Sequence, residues 1–212
     1  MIEYVIESNP DDRILQKASD ELKAGNLICL PTDTNWVFVA DINNKNGIEK
    51  LYKIKREDKQ KHFSILCQDI SMASEMAIID NQAFRVLKKI TPGNYTFIFE
   101  ASKKIAKMVQ ASKTDKEVGV RFVPRVLINK LIEIHGSPLI SSNITNSVLG
   151  RNPDSTDEIY SFEIEDKLSG KLNLIIDPGE INFDGPSSII DFSKEEGPEL
   201  IREGVGPVDF LR

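Results

Sequence analysis

Short apolar runs alternate with longer amphipathic ones along most of this chain. Tyr4-Val5-Ile6 reads as a first strand. Asn9-Pro10-Asp11-Asp12 then opens a helix, with Asn9 as cap, Pro10 in the first turn and acids at the positive end. Ile14, Leu15, Ala18 and Leu22 recur at helical spacing, and Gly25 stops the helix. Leu27–Leu30 and Trp36–Ala40 read as strands, Asn46–Lys55 as a helix and Phe63–Cys67 as a strand. Helices follow over Ser71–Ala77 and Asn81–Lys89. Thr91-Pro92-Gly93-Asn94 is a turn leading into a strand over Tyr95–Glu100. A short helix is expected around Ile105, Met108 and Val109, then a strand over Val118–Phe122. Val126–His135 is a helix closed by Gly136, and Leu139–Ser142 a strand. A polar loop runs from Asn143 to Ser155, and strands at Leu172–Ile176, Ser187–Asp191 and Glu199–Arg202 complete the pattern. Some strands follow one another directly, so the expectation is one α/β domain over residues 1–212, with a twisted mixed sheet and flanking helices.

Composition narrows this picture only a little. Hydrophobic residues make up 40% of the 212 and charged residues 28%, as in a soluble globular chain. No apolar run approaches a membrane span, and Met1-Ile2-Glu3-Tyr4 has no signal-like character, so a cytoplasmic location without membrane contact is expected. Cys29 and Cys67 sit in apolar runs without metal or redox spacing and read as buried, reduced thiols. The net charge of −6 argues against a general polyanion binder. Its distribution is uneven. Residues 50–61 carry Lys50, Lys53, Lys55, Arg56, Lys59 and Lys61 against Glu57 and Asp58. Residues 154–199 carry 13 acids against Lys167, Lys171 and Lys194. The basic cluster reads either as a focused anion site or as a solvated helix end.

Several chemistries are missing from the sequence. There is no phosphate loop ending in Lys-Ser/Thr, no dinucleotide fingerprint and no nucleophile elbow. His62 and His135 are the only histidines, and neither has metal-ligand spacing. His135 ends a helix, where an imidazolium complements the dipole; His62 lies in the basic segment and is a candidate anion contact. What remains is a set of polar residues at strand ends: Thr32 and Thr34 in Pro31-Thr32-Asp33-Thr34, Lys53 and Lys55, Arg121, Ser141-Ser142-Asn143, Ser187-Ser188 and Arg202. Open α/β sheets bind ligands at the carboxyl ends of strands, although Pro-Thr-Asp is also ordinary turn chemistry. Such a set positions and neutralises an anion rather than attacking anything covalently.

The order of these motifs resembles the YrdC-like domain family. The resemblance runs from Pro31-Thr32-Asp33-Thr34 through Lys53-Ile54-Lys55, Thr91-Pro92-Gly93-Asn94-Tyr95-Thr96, Val118-Gly119-Val120-Arg121 and Pro138-Leu139-Ile140-Ser141-Ser142-Asn143. It ends with Gly185-Pro186-Ser187-Ser188 and Ile201-Arg202-Glu203-Gly204. The Thr-Pro-Gly-Asn-Tyr-Thr run is most similar to the YciO branch; better understood members have Trp-Pro-Gly-Pro-Leu-Thr there. The family implies a twisted sheet around a positively lined concave cavity. It also implies threonylcarbamoyl-AMP synthesis: L-threonine, bicarbonate and ATP are joined and pyrophosphate leaves, as the first step of tRNA threonylcarbamoyladenosine modification. Magnesium would ride on the phosphates, with no protein side-chain ligand.

Carried over by residue, the resemblance gives Thr32, Ser141 and Ser187 to threonine and Lys53, Lys55, Asn143 and Arg202 to the nucleotide phosphates; a two-residue shift of the Ser-x-Asn match would instead put Asn143 and Thr145 at its key positions. Thr34, His62 and Arg121 are further candidates. No residue is assigned as a nucleophile, since catalysis would rest on positioning. Two departures bear on activity. Trp36-Val37-Phe38 stands where the family has Tyr-Gly-Leu, so Val37 is expected to crowd a ligand. Lys55 stands for an arginine and lacks its two-pronged fork. The alternatives are hydrolysis of a threonylcarbamoyl compound, free or on tRNA, and a non-catalytic module binding tRNA or double-stranded RNA.

Overall fold

The computed structural model describes residues 1–56, 63–103, 105, 117–194 and 196–211, with the side chains of 55 and 56 excepted. Ten strands form one sheet: β1 (Ile2–Tyr4), β2 (Ile28–Pro31), β3 (Trp36–Asp41), β4 (Ser64–Leu66), β5 (Tyr95–Glu100), β6 (Glu117–Arg121), β7 (Leu139–Asn143), β8 (Leu174–Asp177), β9 (Ser188–Asp191) and β10 (Glu199–Arg202). Their order across the sheet is β1-β8-β2-β3-β7-β4-β6-β5-β9-β10, with parallel and antiparallel pairs mixed. Among the described residues six α-helices flank it: α1 (Asp12–Lys23), α2 (Lys45–Arg56), α3 (Ile70–Met76), α4 (Asn81–Ile90), α5 (Val126–His135) and α6 (Ser161–Lys167). The expected single α/β fold with a mixed sheet is thus what the chain adopts.

The helices divide the two faces of the sheet between them. On one face, Leu30, Val37, Val39 and Leu139 pack under Leu15, Ala18 and Leu22 of α1 and Leu127, Ile128 and Leu131 of α5. On the other, Phe38, Ala40 and Ile140 pack against Ile48, Leu51 and Ile54 of α2 and Ile164 of α6. Farther along that second face, Ile65, Phe97, Phe99, Val120 and Ile190 pack against Ala73 and Met76 of α3 and Ala83 and Leu87 of α4. Leu66 of β4 still lies in the first cluster, but among the described residues no helix packs over Ser64, Gly119, Thr96 or Ile98 on that face.

Several expectations need adjusting. The first strand is Ile2–Tyr4 rather than Tyr4–Ile6, because its partner β8 sets Ile2 opposite Ile175 and Tyr4 opposite Asp177. The cap of α1 is Asp11, whose carboxylate accepts from the Arg13 backbone N–H, rather than Asn9. Helix α6 was not expected at all. It buries only Ser161 and Ile164, too few apolar positions to show a period. The helix expected around Met108 and Val109 lies outside the described residues. No described helix is long and apolar enough to cross a membrane.

Candidate functional site

Strand registers bring small polar residues together on the uncovered face. Ser141 lies opposite both Val39 and Ser64, and Ser64 opposite Gly119. Gly119 lies opposite Ile98, and Thr96 opposite Ile189. Paired residues share a face and alternate residues return to it, so Ser141, Asn143, Ser64, Gly119, Arg121 and Thr96 all belong to this face. Ser64, Gly119, Thr96 and Ile98 are half-exposed and Asn143 is exposed. Gly119 keeps the floor low: a Cβ there would stand 3.2 Å from the Phe63 carbonyl and 3.3 Å from Ser64 Oγ.

The β2–β3 turn is fastened at the edge of this floor. Asp33, 1% exposed, accepts two hydrogen bonds from one nitrogen of Arg121, at 2.7 and 2.8 Å. The other terminal nitrogen of Arg121 donates to Thr34 Oγ1 at 3.1 Å. Burial pulls the Arg121 guanidinium below its ordinary value, opposed by Asp33, with a smaller contribution from nearby Arg202. Thr32 Oγ1 donates to the Asn35 carbonyl at 2.9 Å and accepts from the N–H groups of Thr34 and Asn35. With that proton committed, Thr34 donates to Thr32 across 3.2 Å and accepts from Arg121. Asn94 Nδ2 bridges two carboxylates, Asp33 at 2.9 Å and Asp184 at 2.8 Å. The Asp184 N–H also donates to the Asp33 carbonyl at 2.8 Å.

The remaining wall comes from the end of the chain. Thr96 and Ser187 share a hydroxyl hydrogen bond of 2.9 Å. Arg202 donates to the Ser187 carbonyl from Nε at 3.1 Å and from a terminal nitrogen at 2.7 Å. Close backbone approach makes this possible. A Cβ on Gly204 would lie 2.2 Å from the Pro186 carbonyl oxygen, so only glycine fits. Gly204 N–H donates to Ser188 Oγ, which donates in turn to the Gly206 carbonyl.

The candidates from sequence therefore divide. Thr34, Arg121, Ser141, Asn143, Ser187 and Arg202 come together around the uncovered face. Thr32 stands at its edge, fully buried, and its hydroxyl shapes the turn instead of facing a ligand. Ser141 is 4% exposed and donates to the Ser64 carbonyl at 2.9 Å. Arg121 is committed to Asp33, which makes it the turn's anchor. Lys53 is not part of the group. Helix α2 buries Leu51 and Ile54 on the opposite face of the sheet, leaving Lys53 beside Lys50, Gly170 and Lys171, near the start of β2 rather than its end. His62 and the Lys55 side chain lie outside the described residues. Among the described residues, the cations at this face are Arg121 and Arg202, so its lining here is hydroxyl and amide more than positive. Val37, 1% exposed, fills the core beneath α1 and α5 instead of crowding a ligand.

Groups elsewhere are walled off. His135 is buried, with Nδ1 3.0 Å from Ser19 Oγ and Nε2 3.5 Å from Asp41. It ties α1, α5 and β3 together and does more than complement a helix dipole. Cys29 and Cys67 are free and buried, and burial pushes both thiols up. Sequence reasoning did not assign Ser64, Gly119, Thr96, Asn94 or Asp184. A serine on alternating phase within Phe63–Cys67 and a glycine inside a strand were the available signals for two of them. Nothing local marked Asp184.

The arrangement offers hydroxyls, the Asn143 amide and the Arg202 guanidinium to an oxyanion, without a paired nucleophile and base. Known proteins share the fold. A family model described as "Telomere recombination", covering Sua5, YciO and YrdC proteins, matches residues 20–204. YciO of Escherichia coli K12, an uncharacterised protein, is 31% identical over 205 residues, covering 97% of this chain and 96% of its own. Its crystal structure superposes with a TM-score of 0.83 over 99% of this chain and 98% of that one. A putative threonylcarbamoyl-AMP synthase of Methanocaldococcus jannaschii is 27% identical, covering 98% of this chain and 94% of its own. Pyrococcus abyssi Sua5, crystallised with L-threonine, has the same fold at a TM-score of 0.80 and 22% identity, over 96% of this chain and 57% of that one.

Proposed function

Because this chain belongs to the Sua5/YciO/YrdC family, we propose that its uncovered sheet face binds L-threonine, bicarbonate and ATP and joins them as threonylcarbamoyl-AMP. The observation that carries the reading is the convergence of Ser64, Thr96, Asn143, Ser187 and Arg202 around the low floor at Gly119. In this reading a carboxylate oxygen of N-carboxythreonine attacks the α-phosphorus as the bond to pyrophosphate breaks. The protein holds the reactants in line and neutralises developing charge. Arg202 and Asn143 would hold phosphate oxygens, while Ser187 and Thr34 would orient the amino acid. Among the described residues no group of three or more His, Cys, Asp or Glu forms a metal cage. Magnesium would arrive on the triphosphate and lower its charge.

Pyrophosphate release with ATP, threonine and bicarbonate, omitting each in turn, tests the proposal. Release that needs all three supports it; release indifferent to threonine defeats it. One observation favours a hydrolase of threonylcarbamoyl compounds. Asp184 is exposed at the edge of the face, held by Asn94, and has no cationic partner among the described residues. A carboxylate so placed is suited to activate water. Cleavage of threonylcarbamoyladenosine that is lost in Asp184→Asn, with no pyrophosphate release, would select that reading.

A further inference from the structure

The acidic stretch over residues 154–199 gives Asp184 and Ser187 to the site described above, and its earlier part lines, with Tyr4 and Trp36, a separate cavity. A space of about 610 Å³ opens at the carboxyl ends of the parallel strands β1, β8 and β2. Its polar lining includes three carboxylates, Glu158, Asp177 and Glu180, and among the described residues no lysine or arginine. Its apolar lining is aromatic and poorly covered: Tyr4 is 67% exposed, Tyr160 50% and Phe162 65%. The rings of Tyr160 and Phe162 stack almost parallel, 5.5 Å apart and 11° from coplanar. Exposed aromatic rings cost hydration without contributing to the core, and their faces attract cations. The wall is built and fixed. Trp36 forms part of it and donates from Nε1 to the Ile159 carbonyl at 2.8 Å. Asp177 accepts from Ser161 Oγ and from the Gly179 N–H, and Tyr160 donates to Glu158.

We infer that this cavity binds a small organic polycation, a linear amine with several ammonium groups on an aliphatic chain. Three carboxylates match a trivalent amine in charge. The aromatic rings match its ammonium heads and methylene segments, which a hydrated metal ion would not use. The same cavity adjoins the first site through the chain: the segment from Gly179 to Phe183 forms its wall and leads into Asp184, hydrogen-bonded to Asp33 and Asn94. Its ligand chemistry is nevertheless opposite in sign to that of the sheet face, so the inference stands apart from the nucleotide reading.

Trp36 is the only tryptophan in the chain, so its fluorescence reports on this cavity. The experiment titrates the whole protein with spermidine, followed by Trp36 emission and by calorimetry. Sodium chloride of equal ionic strength and an arginine-rich peptide serve as controls. A saturable change is expected with spermidine and not with salt. Phe162→Ala and Glu180→Gln alter exposed side chains and should leave thermal unfolding unchanged while weakening binding about two- to fivefold each. Absence of saturable binding by both methods would overturn the inference. So would binding that is undiminished in both variants, a change reproduced by salt, or capture of the peptide but not of spermidine.

Discussion

One face of this sheet is two surfaces. Over β2, β3 and β7 it carries Leu30, Val37, Val39 and Leu139, all buried beneath α1 and α5. Over β4, β6 and β5 the same face carries Ser64, Gly119 and Thr96, half-exposed. Strand β7 crosses the boundary within five residues, from Leu139 at 0% exposure through Ser141 at 4% to exposed Asn143. Each apolar side chain in the covered half contributes about 1.5–3 kcal/mol by burial, which a small hydroxyl cannot match. The uncovered half is held from behind, by Phe97, Phe99, Val120 and Ile190 on the opposite face, and by the Arg121–Asp33 pair at its edge. The candidate site lies where side-chain volume is withheld from a sheet that is held from its other face.

Breaking that edge should have the largest effect. Arg121→Met leaves Asp33 buried and unpaired, which should cost about 3–5 kcal/mol in urea unfolding. A loss below about 1 kcal/mol would mean that the turn is held by its own hydrogen bonds. In the covered half, Leu131→Ala should destabilise by about 2–5 kcal/mol while leaving nucleotide affinity unchanged. A parallel loss of affinity would show that the two halves are coupled. In the uncovered half the pattern reverses. Arg202→Ala should weaken ATP binding by roughly 10- to 150-fold, the loss of a charge-assisted contact of about 1.5–3 kcal/mol. Gly119→Val should abolish ligand binding for a stability loss of about 1–3 kcal/mol, since its Cβ would press on the Phe63 carbonyl and Ser64 Oγ at 3.2 and 3.3 Å. Calorimetric titration beside urea unfolding measures both quantities.

The smallest effect is acid sensitivity, and it belongs to the covered half. Burial pushes Asp41 up, but His135 3.5 Å away and the hydrogen bond from the Asn43 N–H outweigh it and hold the carboxyl below its usual range. A depressed carboxylate contributes stability that is present above its unfolded value and is lost as pH falls through the folded one. Thermal unfolding of the protein should therefore fall more steeply below about pH 4 than that of Asp41→Asn. Equal slopes would remove the Asp41–His135 contact as the source.

Local periodicity alone determined much of this protein. Tyr95–Glu100, Val126–His135 and Glu199–Arg202 stand in the structure with the bounds that alternation, a helical period and a closing glycine set for them. The order of polar motifs along the chain pointed to the family. Tertiary structure decided which of those polar groups are free. Thr32 and Ser141 look identical in sequence to ligand-facing hydroxyls, yet their protons go to Asn35 and Ser64. Lys53 sits in a fitting motif, but the apolar face of α2 turns it to the other side of the sheet. Asp184 carries no local signal and reaches the site through Asn94, ninety residues earlier. Alternation assigns a residue to a face of its strand. Whether that face is covered by a helix, or by nothing, depends on pairings between segments far apart in the chain, which no local pattern encodes.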